Sequence, residues 1–297
     1  MTVIDRAPAV SLVGAGAVSV QFGAAFATRL FSRVGPAGAV MLRLVVAAAV
    51  LLAFHRLRRP RGRSGPASGP DRLVVVAFGL VLAGMNLSFY EAIARIPLGV
   101  AVTIEFSGPL AVALVSSRRV ADGLSAAGAG VGVALLASGT GHRLEVAGLL
   151  FALLAGALWA AYIVLSKETG ARFESLSGLT WAMSVGAVAT LPYGLGAGRA
   201  HLLQPGVLGL GVVVGVMSSV VPYSLELLAL RRVTRRAFGV MMSLDPALAT
   251  AAGFVVLGQH LDGREWVALA LVVGANLGNA LARSRPSAGA RLSPGEP

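Results

Sequence analysis

Three ionisable residues lie deep within strongly apolar stretches of this sequence. Glu105 and Asp245 are each followed closely by a proline, Pro109 and Pro246, and Arg43 interrupts another apolar stretch. A charge at membrane depth costs about 2.5–3.5 kcal/mol even on the lenient insertion scale, so such residues are candidates for function. A carboxyl group in this setting can hold a proton or, when ionised, a substrate ammonium group. That choice is the minimum that an exchange of protons for substrate requires.

Pro109 predicts a break in the helix that carries Glu105. Proline has no backbone N–H and therefore frees the carbonyl oxygen four residues earlier, which is that of Glu105 itself. Broken helical turns at membrane depth are tolerated where they line a cavity, so this turn is predicted to face one. Pro222, beside Tyr223, predicts a similar break, and Pro246 is a third candidate.

Two further acids and several neutral polar side chains complete the candidate site. Glu91 and Glu226 are nearer the ends of their apolar stretches, where they serve either the site or only the membrane interface. Trp159 and Tyr162 share one helix face, which either walls a cavity or is an ordinary packing stripe. Arg43 either attracts a substrate carboxylate or neutralises an acid as a structural ion pair. The other hydrogen-bonding candidates are Gln21, Asn86, Tyr90 and Tyr223.

The composition places these residues in a membrane protein. Of the 297 residues, 56% are apolar and only 13% are charged, and the mean hydropathy is +0.79. Soluble domains carry about a quarter charged residues, so a soluble enzyme is nearly excluded. The chain has no cysteine, which excludes disulfides, thiolate metal sites and a cysteine nucleophile. The sequence predicts an all-α polytopic membrane protein with no cofactor and no metal site.

Ten stretches are long and apolar enough to cross the hydrocarbon layer, which takes about 20 residues of helix. If both termini face the cytoplasm, 18 of the 25 Lys and Arg residues fall in cytoplasmic segments and six on the opposite side. This asymmetry is a strong topology signal, so the net charge of +12 indicates orientation rather than nucleic-acid binding. The predicted spans are 9–28, 37–54, 73–92, 97–116, 123–139, 146–166, 176–195, 207–229, 237–257 and 266–282.

The two halves of the chain repeat one another. The fourth span of each half carries an acid followed by proline, and Glu91 aligns with Glu226 within two residues. The fifth spans share a Gly-x-x-x-Gly motif that begins at Gly128 and Gly274. Because five is odd, the second half inserts upside down relative to the first, as in many secondary transporters. The predicted organisation is a cytoplasmic N-terminus at 1–8, five-helix repeats at 9–139 and 146–282, and a disordered cytoplasmic tail at 283–297.

Four parts of the sequence carry a resemblance to a known family: MN at 85–86 with FY at 89–90, EFSGPLAVAL at 105–114 with SSRR at 116–119, VPYSLE at 221–226 and RRAFGVMMSLDPA at 235–247. They resemble the threonine/homoserine exporters, which are EamA-type members of the drug/metabolite transporter (DMT) superfamily. The likeness runs over nearly the whole chain and is specific at the fourth, eighth and ninth spans. At position 245 this chain has Asp where those exporters typically have Glu, which keeps the charge on a shorter arm.

The resemblance implies ten helices in two inverted repeats and proton-driven efflux of small neutral amino acids, or of related metabolites, across a bacterial inner membrane. Its partners would be the substrate, protons and the lipid bilayer, with no nucleic acid, in a monomer or homodimer. Glu105 would be the main proton or ammonium site, assisted by Asp245, with Glu226 and Glu91 as secondary candidates. Asn86, Tyr90, Trp159 and Tyr162 would shape the cavity.

Two other classes of membrane protein fit the sequence less well. An intramembrane enzyme would show a HExxH motif, a GxSxG elbow or paired aspartates, and the sequence contains none of these. A passive channel usually has a filter-like loop or a ring of identical side chains from several subunits. An internally duplicated chain with single acids at depth favours an alternating-access exporter without catalytic residues.

Overall fold

In the computed structural model, all regular secondary structure of the described residues is helical, and these residues contain no β-strand. The prediction of an all-α chain is therefore confirmed for this part of the sequence. The described residues are 9–58, 66, 68–115, 127–128, 130–132, 135, 145–173, 177–198, 201–222, 225 and 244–282.

The helices within the described residues are numbered in chain order. They are α1 Ala9–Arg58, α2 Gly69–Ile93, α3 Leu98–Glu105, α4 Ser107–Val115, α5 Val146–Arg172, α6 Ser177–Gly198, α7 Pro205–Gly215, a π-helical turn Val216–Val220, α8 Asp245–Leu257 and α9 Gly263–Ala282.

The helix bounds follow the predicted spans with small shifts. Helix α1 contains the first two spans, which meet at Gly35, where φ is 65° and Pro36 follows. Only a glycine adopts this backbone conformation readily, so the chain is kinked there without a loop. Helices α3 and α4 together form the predicted fourth span. Most of the predicted span 123–139 lies outside the described residues, as do 223–224, 226–229 and 237–243 of the predicted eighth and ninth spans.

The outer faces of the helices are apolar, as expected of a surface in lipid. Three described stretches are long and apolar enough to cross a membrane: Ser11–Leu57, Gly69–Ile93 and Val146–Arg172. Large apolar side chains point outwards along them and along the shorter helices. These side chains include Leu73, Leu80, Leu150, Val188, Val212, Phe254 and Val255. Exposed apolar side chains on helices long enough to span a bilayer indicate a membrane protein. The count of ten spans stays a prediction.

Glycines let the helices approach closely around the centre of the molecule. A Cβ added to Gly108 of α4 would overlap the backbone of Gly156 in α5. In the predicted fifth span, a Cβ on Gly132 would lie 2.8 Å from Val272 Cγ2 and 3.0 Å from the carbonyl oxygen of Ala268. The fifth and tenth predicted spans therefore pack within one chain, a point that the sequence left open. Small residues are the usual means of close helix packing in lipid.

Candidate substrate and proton site

A cavity of about 410 Å³ lies between helices of both halves of the chain. Its volume is in the range of small-molecule sites, and its lining is mostly apolar with a few polar groups, as such sites usually are. Residues of α1, α2, α3, α4, α5 and α8 line it, together with Phe106, the π turn and Pro222, which lies shortly after that turn. The predicted site residues in its wall are Gln21, Arg43, Asn86, Glu105, Pro109, Trp159, Tyr162, Pro222 and Asp245.

Glu105 stands at a break in the fourth span. Helix α3 ends at this residue, Phe106 is a turn, and α4 begins at Ser107. The break falls in the turn where Pro109 frees the carbonyl oxygen of Glu105. A Cβ on Gly156 would lie 2.8 Å from that oxygen, so the absence of a side chain on α5 leaves room for the break. The Glu105 side chain remains partly exposed in the cavity.

Asp245 enters the cavity from the second half of the chain. It is the first residue of α8 and is 6% exposed, and Pro246 follows it in the first turn. Proline suits a first turn because the N–H that it lacks would have no partner within the helix. A carboxylate at a helix N-terminus also interacts favourably with the helix dipole. The start of α8 therefore provides a stable place for a buried acid.

Arg43 is 7% exposed and is held by neutral partners. Its Nε donates to Ser219 Oγ at 3.3 Å, its Nη1 to the Tyr90 hydroxyl at 3.5 Å and its Nη2 to the Ser218 carbonyl oxygen at 2.9 Å. The guanidinium also lies 5.6 Å from the centre of the Tyr90 ring, a favourable cation–π arrangement. Within the described residues, Arg43 forms no ion pair with a carboxylate.

The π turn Val216–Val220 follows from the missing N–H of Pro222. In a regular helix that N–H would bond the Ser218 carbonyl oxygen, which here accepts from the guanidinium instead. Ser19 Oγ donates to the adjacent carbonyl oxygen, that of Met217, at 2.8 Å. Two side chains from the first half of the chain thus stabilise an irregular turn of the second half. Turns of this kind are frequent at functional sites.

Comparison with known proteins shows the family of this chain. Residues 146–280 match the EamA-like transporter family. The threonine/homoserine exporter RhtA of Escherichia coli (strain K12) is 39% identical over 266 residues, which cover 89% of this chain and 88% of that protein. The corresponding exporter of Salmonella typhimurium (strain LT2) is 38% identical over 265 residues, with the same coverage. This chain belongs to the EamA-like transporter family.

The resemblance to EamA-type DMT exporters is therefore confirmed, and this EamA-like transporter is a bacterial membrane protein of the exporter class. Its relatives are transporters and not enzymes. One solved crystal structure is 21% identical and superposes with a TM-score of 0.62, covering 93% of this chain and 99% of that one. That likeness supports the helical fold alone.

Aromatic side chains of this EamA-like transporter form one wall of the cavity. Trp159 meets Phe106 edge to face, with ring centres 4.8 Å apart. Tyr162 packs on Phe78 with ring centres 5.3 Å apart. Both pairs are in the range of favourable aromatic contacts. The Trp159–Phe106 pair connects α5 to the turn beside Glu105, so this wall also helps to position the acid.

Two other predicted site residues, Tyr90 and Glu91, do not line the cavity. Tyr90 is fully buried and contacts Arg43. Glu91 forms an ion pair with Arg95 near the end of α2. Tyr223 and Glu226 lie outside the described residues.

Sequence reasoning missed three residues of the site: Ser218, Ser219 and Phe106. The signal for Ser218 was present, since it stands four residues before Pro222 just as Glu105 stands four before Pro109. Ser219 and Phe106 have no comparable signal, because serine and phenylalanine are ordinary residues of apolar helices.

Proposed function

We propose that this EamA-like transporter is a secondary exporter of small neutral amino acids such as threonine and homoserine. It exchanges them for protons across the bacterial inner membrane. The substrate class comes from the relatives, which are named as threonine/homoserine exporters. The mechanism is supported above all by one observation: Glu105 from the first half and Asp245 from the second half line the same cavity, together with Arg43.

The exchange rests on what a carboxyl group can hold at membrane depth. A protonated carboxyl is neutral and tolerable in apolar surroundings, whereas an ionised one needs a positive partner. We assign that partner to the substrate ammonium group, which binds ionised Glu105 from the cytoplasm. On the outer side a proton displaces the ammonium group and the substrate leaves. Because one carboxylate cannot hold both, substrate and proton move in opposite directions.

Alternating access would come from two inverted five-helix repeats, at 9–139 and 146–282, with both termini in the cytoplasm. The fourth spans of the two halves support this arrangement, because they pack directly against each other. A Cβ on Gly99 of α3 would overlap the Thr250 side chain of α8. Equivalent helices of inverted repeats are expected to meet in this way, with the substrate site at the junction. Rocking one repeat against the other would open the cavity to each side in turn.

A counterflow screen of amino acids in proteoliposomes tests the proposal. Purified protein is reconstituted, and the uptake of labelled amino acids is measured with and without an acidic lumen. Threonine and homoserine should exchange, and the acidic lumen should drive their accumulation as protons leave. Leak that ignores the pH gradient would contradict antiport. Exchange of a different metabolite, with none of threonine or homoserine, would contradict the substrate class.

A further inference from the structure

We propose that Arg43 binds the substrate carboxylate, so that the cavity recognises a zwitterion by both of its charged ends. The inference rests on the proposed function and deepens it, because it assigns each end of an amino acid to a particular group. It also decides between the two roles that the sequence allows for Arg43, a substrate anchor or a structural partner of an acid.

Arg43 is a buried charge that no carboxylate contacts directly within the described residues. Arg43 is 7% exposed, and its hydrogen-bond acceptors are two hydroxyl groups and one backbone carbonyl. A buried charge is costly unless a charge of opposite sign compensates it. Although Glu105 and Asp245 line the same cavity, neither forms an ion pair with Arg43 within the described part of the chain. The charges of Arg43 and Glu105 interact, but not at ion-pair distance. The position in direct contact with the guanidinium is therefore left for a carboxylate that comes with the substrate.

The guanidinium of Arg43 has more N–H groups than its described partners use. Arginine has five N–H groups in a rigid fork, and three of them are donated to the described residues Tyr90, Ser218 and Ser219. The others are available to a carboxylate, which arginine binds with two parallel hydrogen bonds. The neutral partners hold the fork in place, and a preorganised group loses little entropy when it binds a ligand.

The acids complete the recognition. Glu105 and Asp245 come from helices other than that of Arg43, so the cavity presents positive and negative groups from different walls. A ligand that lacks either charge would leave one buried group uncompensated. The cavity should therefore prefer α-amino acids with a free carboxylate over their amides and over the corresponding hydroxy acids.

Two analogues of threonine test the assignment on the wild-type protein. L-Threoninamide has no carboxylate but still carries its ammonium group at about pH 6, and 3-hydroxybutyrate has a carboxylate but no ammonium group. Each competes against labelled L-threonine in counterflow at this pH. We expect threonine to compete at least about tenfold better than either analogue, which corresponds to about 1.4 kcal/mol or more.

Variants at position 43 then test whether the preference for threonine over threoninamide depends on Arg43. Arg43→Gln should weaken competition by threonine by about tenfold or more but change competition by threoninamide little. The preference for threonine over threoninamide is then lost. Arg43→Lys keeps the charge without the fork and should retain part of the selectivity. Ser184→Ala is the matched control, since this hydroxyl bonds a carbonyl of its own helix at 2.8 Å and does not line the cavity. Size-exclusion chromatography checks that each variant is folded.

Each result decides the matter. If wild-type protein exchanges threonine but accepts threoninamide equally well, the Arg43 assignment is wrong and the proposed function stands. The same holds if Arg43→Gln keeps the wild-type selectivity. If Arg43→Gln fails to fold, the wild-type analogues and Arg43→Lys decide. Absence of threonine exchange in the wild type would overturn the proposed function and this inference with it.

Discussion

The guanidinium of Arg43 donates a 2.9 Å hydrogen bond to the carbonyl oxygen of Ser218, 175 positions further along the chain. That oxygen has lost its helical donor, because Pro222 has no N–H to offer. The bond therefore satisfies a buried backbone acceptor and connects the second span to the irregular turn of the eighth. It joins the two halves of the transporter at the wall of the cavity.

The Pro222→Ala variant should be at least as stable as the wild-type protein but should transport substrate more slowly. The new N–H can bond the Ser218 carbonyl oxygen, which would regularise the π turn and compete with Arg43. Restoring a helical hydrogen bond contributes about 1 kcal/mol, whereas a straightened turn loses the irregular geometry at the site. Thermal unfolding in detergent and counterflow rates measure the two effects.

Pro192→Ala is the control for this change. Pro192 also lies inside a helix, α6, but does not line the cavity. The Pro192→Ala variant should change the stability of the protein without slowing substrate transport. A Pro222→Ala variant with normal transport would show that the π turn has no part in the transport cycle.

Glu105→Gln should fold but lose gradient-driven accumulation of substrate. The amide has nearly the shape of the carboxyl group, so we expect stability to change by less than about 1 kcal/mol. A glutamine side chain can neither exchange a proton nor form an ion pair with an ammonium group. Accumulation in proteoliposomes with an acidic lumen measures the loss.

Glu168→Gln is the matched control for the acid. Glu168 is an exposed residue near the end of α5, where it pairs with Arg172. Its replacement should leave accumulation at the wild-type level. Wild-type accumulation by Glu105→Gln would remove Glu105 from the mechanism.

Gly108→Ala should destabilise the protein because its new methyl group meets backbone. The Cβ would overlap the carbonyl group of Gly156, and neither helix backbone can move away cheaply. Such overpacking typically costs about 1–3 kcal/mol. At Gly274 of α9 a Cβ meets nothing within 4 Å, so Gly274→Ala should be neutral or slightly stabilising. Melting temperatures of the two variants compare these sites, and equal values would argue against the close contact of α4 with α5.

Glu91→Gln should leave coupled transport intact. The ion pair of Glu91 with Arg95 is partly exposed, and Arg95 also lies 3.4 Å from a carboxylate oxygen of Glu145. Loss of one such pair costs up to about 1 kcal/mol. A small fall in melting temperature with normal accumulation is therefore expected. Loss of accumulation instead would return Glu91 to the site, as the sequence alone suggested.

Much of the fold follows from local sequence signals. Apolar length predicts the spans, and the missing N–H of Pro109 predicts irregularity beside Glu105, where α3 ends. Depth in an apolar stretch alone brings Glu105, Asp245 and Arg43 forward as candidates. These inferences need only neighbouring residues, which is why they are accessible without a structure.

The contacts of Arg43 could not be predicted in the same way. Its partners Ser218 and Ser219 are ordinary residues of an apolar helix, and only tertiary packing brings them to the guanidinium. The placement of Tyr90 behind the wall depends on how α2 is rotated within the bundle. The position of Glu91 within an apolar stretch makes it a candidate. That position does not show that Glu91 forms an ion pair with Arg95, one helical turn away.

If the acids of one cavity exchange protons for substrate, threonine entry must move protons in the opposite direction. Proteoliposomes that contain a pH-sensitive dye are given external threonine, and the lumen pH is followed. We expect the lumen to become more alkaline as threonine enters the wild-type vesicles, and Glu105→Gln vesicles to show no change. Entry of threonine into wild-type vesicles with no change in lumen pH would contradict it.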